Sequence, residues 1–247
     1  MKQFLTTLFL FCCLTSFAQQ FKSQYGKPLV VLVVTDPWLM VIGSDVPCFA
    51  LYEKGQIIYR KVVNKRYQYF EVKYDSIRVR SIMKSLDLDD GVSRLGESTE
   101  ASDRAEQPAN ILLLNFDTLQ QIGVYGNLRD PESDARSKTP KSFLTVFDNI
   151  LKFDDPAAKP WVPDTVEVMA SKYDLSPETP LAWNKEWSDL HSKTTVQRSD
   201  ELYSIYLDKK YFADFIKLLR GLKTRQAVQI NGEKYALSYR FPFPNMD

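Results

Sequence analysis

The sequence predicts an α+β fold with a largely antiparallel sheet, assembled from three units that each combine a β-hairpin with a helix. Two observations favour it. Short β-rich runs stand in pairs around turn residues, and three amphipathic helical segments are spaced along the chain. A regular strand–helix–strand alternation is lacking, which argues against a parallel sheet. About three helices are expected in a single domain over residues 19–247, and two sub-lobes, 19–107 and 108–247, are the alternative arrangement.

The first unit combines several strands with a helix. Asp36-Pro37 ends the first run, and Glu53-Lys54-Gly55 separates the second run from the third as a hairpin turn. The β-rich runs are residues 29–35, 48–52, 56–63 and 67–74. Asp75 then caps a helix. Its apolar residues recur at helical spacing, at Val79, Ile82, Met83 and Leu86.

The second unit follows a segment without periodicity, residues 87–107, which is rich in Asp, Glu, Ser and Gly and predicts a solvated, mobile loop. Two runs, 111–116 and 121–125, then predict a hairpin. Thr139 is expected to cap the next helix, with Pro140 at its first position. The apolar face of that helix comprises Phe143, Leu144, Phe147, Ile150 and Leu151.

The third unit begins after a proline-rich extended connector, residues 154–163. Residues 176–199 are expected to be irregular, and Asp208 is expected to cap a helix that ends at Gly221. Asn231-Gly232 is the strongest short signal for a type I′ hairpin turn. The predicted strands of this unit are residues 165–170, 202–207, 227–230 and 234–240.

Residues 1–18 have the layout of a secretory signal peptide. Lys2 gives a positive start, residues 4–14 are mainly apolar, and Ser16-Phe17-Ala18 is a small-x-small cleavage site. The apolar run is too short for a transmembrane helix. We expect cleavage after Ala18 and a periplasmic or secreted product without a transmembrane segment. A lipoprotein cysteine at Cys12 is the alternative, but bulky Phe11 stands where a small residue is needed.

Charge and cysteine content exclude several classes of protein. Lys and Arg total 32 and Asp and Glu total 31, so long-range attraction to nucleic acid is not expected. Two of the three cysteines lie in the signal segment. Cys48 alone remains, so the predicted mature chain has no internal disulfide. Its apolar neighbours predict a buried structural thiol.

The sequence contains no recognised catalytic, metal-binding or nucleotide-binding motif. His191 is the only histidine, and it stands in a polar stretch where a surface position is expected. A zinc site with two or more histidine ligands is therefore excluded, and a serine–histidine–aspartate triad would have to use His191. Glycine-rich phosphate loops are absent as well. No metal or other cofactor is predicted.

Carboxylates and tryptophans are the remaining candidate site residues. Asp36, at a strand end, and Asp45, before the first hairpin, are the acids to inspect for a hydrolase, with turn formation as the alternative role. Four indoles fall in segments predicted to be irregular, where they could contact a partner or fill gaps between sheet and loops. They are Trp38, Trp161, Trp183 and Trp187.

Three stretches resemble an uncharacterised group of secreted bacterial proteins and lipoproteins. They are Pro47-x-Phe49-x-Leu51-Tyr52-x-x-Gly55-x-x-Ile58-Tyr59, Val124-Tyr125-Gly126, and Tyr235-x-Leu237-x-Tyr239-Arg240-Phe241-Pro242-x-Pro244. The first resembles the glycine hairpin of that group and the last its ending rich in arginine and proline. The resemblance implies an extracytoplasmic domain and no particular activity.

Three functions are compatible with these observations. The leading hypothesis is an exported, non-catalytic protein that binds another macromolecule in the periplasm or outside the cell. A protein is the first expectation for this partner, and a glycan is the alternative. The second is a carboxylate-dependent hydrolase acting on envelope polysaccharide, which requires a concave site with two acids, one of raised pKa. The third is a periplasmic inhibitor or immunity-type protein.

Overall fold

The computed structural model describes residues 24–35, 37, 46–88 and 90–246, which form two β-sheets with helices packed on them. The strands of the first sheet are β1 Pro28–Val34, β2 Pro47–Tyr52, β3 Gln56–Val63, β4 Arg66–Lys73, β5 Ser98–Glu100, β6 Ala109–Asn115, β7 Leu119–Tyr125 and β8 Lys159–Pro160. Those of the second are β9 Thr165–Lys172, β10 Leu181–Ala182, β11 Val196–Ser199, β12 Leu202–Asp208, β13 Val228–Ile230 and β14 Glu233–Arg240. The α-helices are α1 Ser76–Ser85, α2 Asp90–Ser93, α3 Asp134–Lys138, α4 Lys141–Leu151 and α5 Phe212–Gly221.

Both sheets are mixed rather than purely antiparallel. The strand order is β5-β7-β6-β1-β2-β3-β4-β8 in the first sheet and β10-β13-β14-β9-β12-β11 in the second. β5 pairs with β7 in parallel, and β10 pairs with β13 in parallel. The predicted combination of helices with sheets is confirmed, and the three longer helices are α1, α4 and α5. The first sheet ends at Pro160 and the second begins at Thr165.

The predicted turns and caps that rest on strong local signals are present. The Asp75 side chain accepts a hydrogen bond from the backbone N–H of Arg78 at 2.7 Å, which caps α1. Asp208 accepts in the same way from the N–H of Lys210 at 2.8 Å, at the start of a 3-10 turn that leads into α5. Asn231 and Gly232 both have positive φ, 49° and 93°, as a type I′ turn between β13 and β14 requires.

Three local predictions are wrong. Residues 176–199 contain β10 and β11, although an irregular segment is predicted there. Residues 87–107 contain α2 and β5, although a loop is predicted there; β5 is held at both ends, since Gly123 donates to the carbonyl of Glu97 and Ala101 donates to that of Tyr125. Thr139 does not cap α4. Its hydroxyl donates to the carbonyl of Ala135 at 2.7 Å and so closes α3, while Pro140 occupies the cap position of α4.

Side chains on opposite faces of the first sheet enter different hydrophobic clusters. Val30 and Leu32 of β1 pack in the cluster that α1 and α4 cover. Val31, between them, belongs to a second cluster that joins the two sheets. Because both faces of β1 are buried, its sequence is a continuous run of apolar residues rather than an alternation of apolar and polar ones.

The cluster between the sheets combines side chains from both of them with the C-terminal tail. Ala50 and Tyr52 of β2 and Val166 of β9 lie in it, together with Phe241 and Phe243 after β14. The Tyr52 hydroxyl donates to the carbonyl of Pro244 at 3.0 Å, which ties the tail to the first sheet. A third cluster lies under α5, on the second sheet.

Candidate functional site

A cleft of about 530 Å³ opens where the edge of the first sheet meets the segment that leads into the second. β4 contributes Glu71 and Lys73 to its lining, and β8 contributes Lys159. Asp164 comes from the connector between the sheets, and Lys209 follows β12 of the second sheet. Because elements of both sheets supply its charged groups, the cleft depends on the packing of one sheet against the other.

The alternation of β4 places Glu71 on the side of the first sheet that faces the cleft. Phe70 and Val72 pack in the cluster under α1 and α4, so Glu71 between them projects from the opposite face. Its carboxyl group is partly buried. Loss of hydration raises the pKa of this carboxyl; Lys209 and Lys159 oppose the rise, and Asp164 adds to it.

Asp164 and Lys209 form an ion pair at the mouth of the cleft. The Lys209 Nζ lies 3.1 Å from Oδ1 of Asp164, and the backbone N–H of Lys209 donates to the carbonyl of Asp164 at 2.9 Å. Both side chains are exposed. The two acids of the cleft therefore differ in solvent exposure. Asp164 is exposed and forms an ion pair with Lys209, whereas Glu71 is partly buried.

The inner wall of the cleft carries an unused hydrogen-bond acceptor. Gln56 is buried, and its Nε2 donates to the carbonyl of Gln24. Its Oε1 has no hydrogen-bond partner among the residues that the structure describes. A buried amide oxygen without a partner is costly to the folded state.

Tyr25 and Trp161 form the aromatic part of the wall. Burial raises the pKa of the Tyr25 hydroxyl, and the neighbouring Trp161 indole opposes the rise. Trp161 is 4% exposed, and its ring packs against those of Phe243 and Tyr69 with centroids 5.1 and 6.1 Å apart. It therefore shapes the cleft from within and leaves little ring surface for stacking.

Trp183 and Trp187 lie away from the cleft, in the cluster under α5. Their ring centroids are 4.8 Å apart, and each lies 6.1 Å from the ring of Phe215. They are 8% and 6% exposed. Both rings thus fill the space between sheet, helix and loop, and the candidate site is built on other residues. Their participation in binding stays a prediction.

The remaining predicted site residues fall outside the part of the chain that the structure describes. These are Trp38, Asp36 and Asp45. No geometry can be assigned to them, and the carboxylates of the cleft are different ones.

Sequence reasoning missed Glu71, Asp164 and Lys159. For Glu71 a signal was present, because it continues the face of β4 that carries the partly buried Tyr69. A carboxylate in that position is expected to be partly desolvated. Lys159 and Asp164 carry no such signal, since Lys159 lies in the predicted extended connector, residues 154–163, and Asp164 follows directly after it. Only the packing of the two sheets brings them together with Glu71.

Comparison with known proteins yields no relative: no family model, no curated protein and no solved structure matches the chain. Within the described ranges, no three or more His, Cys, Asp or Glu side chains are grouped so that they could hold a metal ion. In the same ranges, no helix has the length and apolar character needed to cross a membrane.

Proposed function

We propose that this chain is an exported, non-catalytic protein that binds another protein, and that it receives an extended segment of that partner in the cleft between its sheets. The observation that supports this proposal is the lining of the cleft. Lysines and carboxylates converge there from the first sheet, from the connector between the sheets and from the turn after β12. Concave sites of this kind, where domain elements meet, are the usual places for ligands.

A polypeptide segment matches the chemistry of this lining. Its charged side chains would find both signs of charge, in Glu71 and Lys159. The whole chain has a formal net charge of only +1, so recognition must depend on this local arrangement rather than on a long-range field. A neutral glycan would supply hydroxyl donors but no partner for these charges.

Export is the second part of the proposal. It is supported by the apolar run and the small-x-small site at Ala18 in the sequence, which place the working protein in the periplasm or outside the cell. The site of cleavage is measured directly by N-terminal sequencing of the protein purified from cells. A mature chain beginning at Gln19 is expected, whereas retention of residue 1 would contradict export by this route.

A comparative pull-down tests the binding function. The mature chain, residues 19–247, and the double variant Lys159→Ala with Lys209→Ala are used as baits on native envelope extract. The double variant Lys185→Ala with Lys193→Ala is the control, because it loses the same charge from exposed positions outside the cleft. A protein captured by the mature chain and the control, but reduced about tenfold with the cleft variant, is expected. Equal capture by all three baits would contradict the proposal.

A carboxylate-dependent hydrolase is the second candidate, because the cleft combines Glu71, whose pKa is raised, with Asp164. Glycoside hydrolysis uses a pair of carboxyl groups, of which the general acid has a raised pKa. The test is release of reducing ends from envelope polysaccharide. Turnover that Glu71→Gln abolishes would support the hydrolase. Binding without turnover, or turnover that Glu71→Gln leaves unchanged, would exclude this mechanism.

A further inference from the structure

A second pocket, of about 400 Å³, lies at the other end of β3 and β4, beside the C-terminal end of α4. Four of its lining residues are cations and one is a carboxylate. The cations are Arg60, Lys61, Arg129 and Lys152, and the carboxylate is Asp154. This composition contrasts with that of the cleft, where acids and lysines are mixed, and it points to a ligand of negative charge.

The single carboxylate of the pocket is already engaged. Asp154 Oδ2 lies 2.6 Å from Lys61 Nζ, and Oδ1 accepts a hydrogen bond from the Tyr59 hydroxyl at 3.2 Å. Among the described residues, no carboxylate lies within ion-pair distance of Arg60, Arg129 or Lys152. Three positive charges around one pocket are therefore left without a counter-charge from these residues.

Tyrosines hold the two arginines of the pocket in place. The guanidinium carbon of Arg60 lies 4.1 Å from the ring centroid of Tyr67. The positive charge of Arg60 also opposes the rise that burial causes in the pKa of the Tyr69 hydroxyl. Nη1 of Arg129 donates to the Tyr67 hydroxyl at 3.4 Å. These contacts use only part of the five N–H donors of each guanidinium, so donors remain for an oxygen-rich anion.

The pocket is open to solvent on one side and apolar on the other. Tyr67 is 57% exposed and Val62 66% exposed at its rim. The buried Cys48 and the ring of Phe153 form part of the lining. An anion can therefore enter from solvent and lie against a partly dehydrated wall, where its attraction to the guanidinium groups is stronger than in bulk water.

We propose that this pocket binds an oxyanion of the phosphate or sulfate type, either as the free ion or as a group attached to an acidic glycan. The guanidinium groups of Arg60 and Arg129 and the exposed ammonium group of Lys152 match the several oxygens of such an anion. The site involves none of the residues that line the cleft between the sheets, so it is independent of the function proposed for that cleft.

Isothermal titration of the mature chain with inorganic phosphate, inorganic sulfate and a sulfated tetrasaccharide tests the proposal. We expect saturable one-to-one binding that weakens as salt is added. The double variant Arg60→Gln with Arg129→Gln should bind about tenfold more weakly or worse, since each lost charged hydrogen bond is worth that order of affinity. The control, Lys185→Gln with Lys193→Gln, should bind like the wild type.

A second variant keeps the test valid if the arginine variant proves unstable. Lys152 is exposed, so Lys152→Gln should leave the melting temperature unchanged and weaken binding about threefold. Saturable binding of inorganic phosphate or sulfate identifies a site for the free ion, and binding of the tetrasaccharide alone identifies a group carried by a glycan. Absence of saturable binding for all three ligands, or equal affinity of the arginine variant and the control, would overturn the proposal.

Discussion

Replacement of Trp183 by alanine measures what the buried indoles do. Trp183 is 8% exposed, its ring packs edge-on against that of Trp187, and its indole N–H donates to the carbonyl of Ser188 at 3.0 Å. Burying an indole removes roughly 200 Å² from water, worth about 5 kcal/mol at about 25 cal/mol per Å² as an upper value. Truncations of buried aromatic residues cost about 3–5 kcal/mol. We therefore expect a loss of about 3–5 kcal/mol in the free energy of unfolding.

Differential scanning calorimetry of the mature chain is the assay. For a domain of this length, each kcal/mol shifts the melting temperature by about 2–4 °C, so Trp183→Ala should lower it by about 6–20 °C. Leu175→Ala is the control, because Leu175 is 86% exposed and should change the stability by less than about 0.5 kcal/mol. A Trp183→Ala protein that melts within about 2 °C of the wild type but loses its partner would refute the reasoning and return this ring to the binding surface.

Three further substitutions test the description of the core and of the cleft. Burial raises the pKa of the Glu71 carboxyl in the folded chain, so the wild type should lose stability as the pH rises above the ordinary Glu value of about 4.3. Glu71→Gln should therefore gain stability relative to the wild type as the pH is raised, and a melting-temperature difference independent of pH would contradict this. Glu167 is 2% exposed and lies within ion-pair distance of Arg198 and Arg240. Glu167→Ala should therefore lower the free energy of unfolding, measured in urea, by about 3–5 kcal/mol, and a loss below about 1 kcal/mol would show that the arginines need no buried counter-charge. Gly55→Ala should lower the free energy of unfolding by about 1–3 kcal/mol in thermal unfolding. Gly55 has a φ of 84°, and an added Cβ would overlap the carbonyl oxygen of Tyr74. Gly96→Ala is the control, because a Cβ added at Gly96 meets no atom within 4 Å.

Elements with a local physical cause could be predicted from the sequence. Asp75 and Asp208 cap helical segments because a short acidic side chain satisfies backbone N–H groups within two or three residues of itself. Asn231-Gly232 forms its turn because both residues tolerate positive φ. Each of these interactions involves only residues close together in the sequence, so the local sequence is sufficient to predict it.

Elements that depend on distant partners could not be predicted in this way. β5, Ser98–Glu100, is a strand because β7 lies beside it in parallel, and three polar residues give no strand signal of their own. Thr139-Pro140 has the composition of a helix start, yet the Thr139 hydroxyl bonds to the preceding helix. The local pattern was compatible with both roles, and the packing of α3 before α4 selected one.

The candidate sites also combine a residue that local sequence could have indicated with residues that only tertiary packing brings together. Glu71 could have been chosen from the alternation of β4, whereas its neighbours Asp164 and Lys209 reach the cleft only through the packing of the second sheet on the first. In the basic pocket, Arg60 and Arg129 are 69 positions apart in sequence and meet through the contact of each with Tyr67. No spacing rule connects residues that are brought together by tertiary structure alone.

Site-specific photocrosslinking determines whether a partner protein enters the cleft. A photoreactive amino acid is placed at Lys159, in the lining of the cleft, or at Lys193, which is exposed and lies outside it, and each protein is irradiated in native envelope extract. We expect one crosslinked partner from position 159, reduced when Glu71→Gln is added, and none from position 193. The same crosslinks from both positions, or none from position 159, would contradict this expectation.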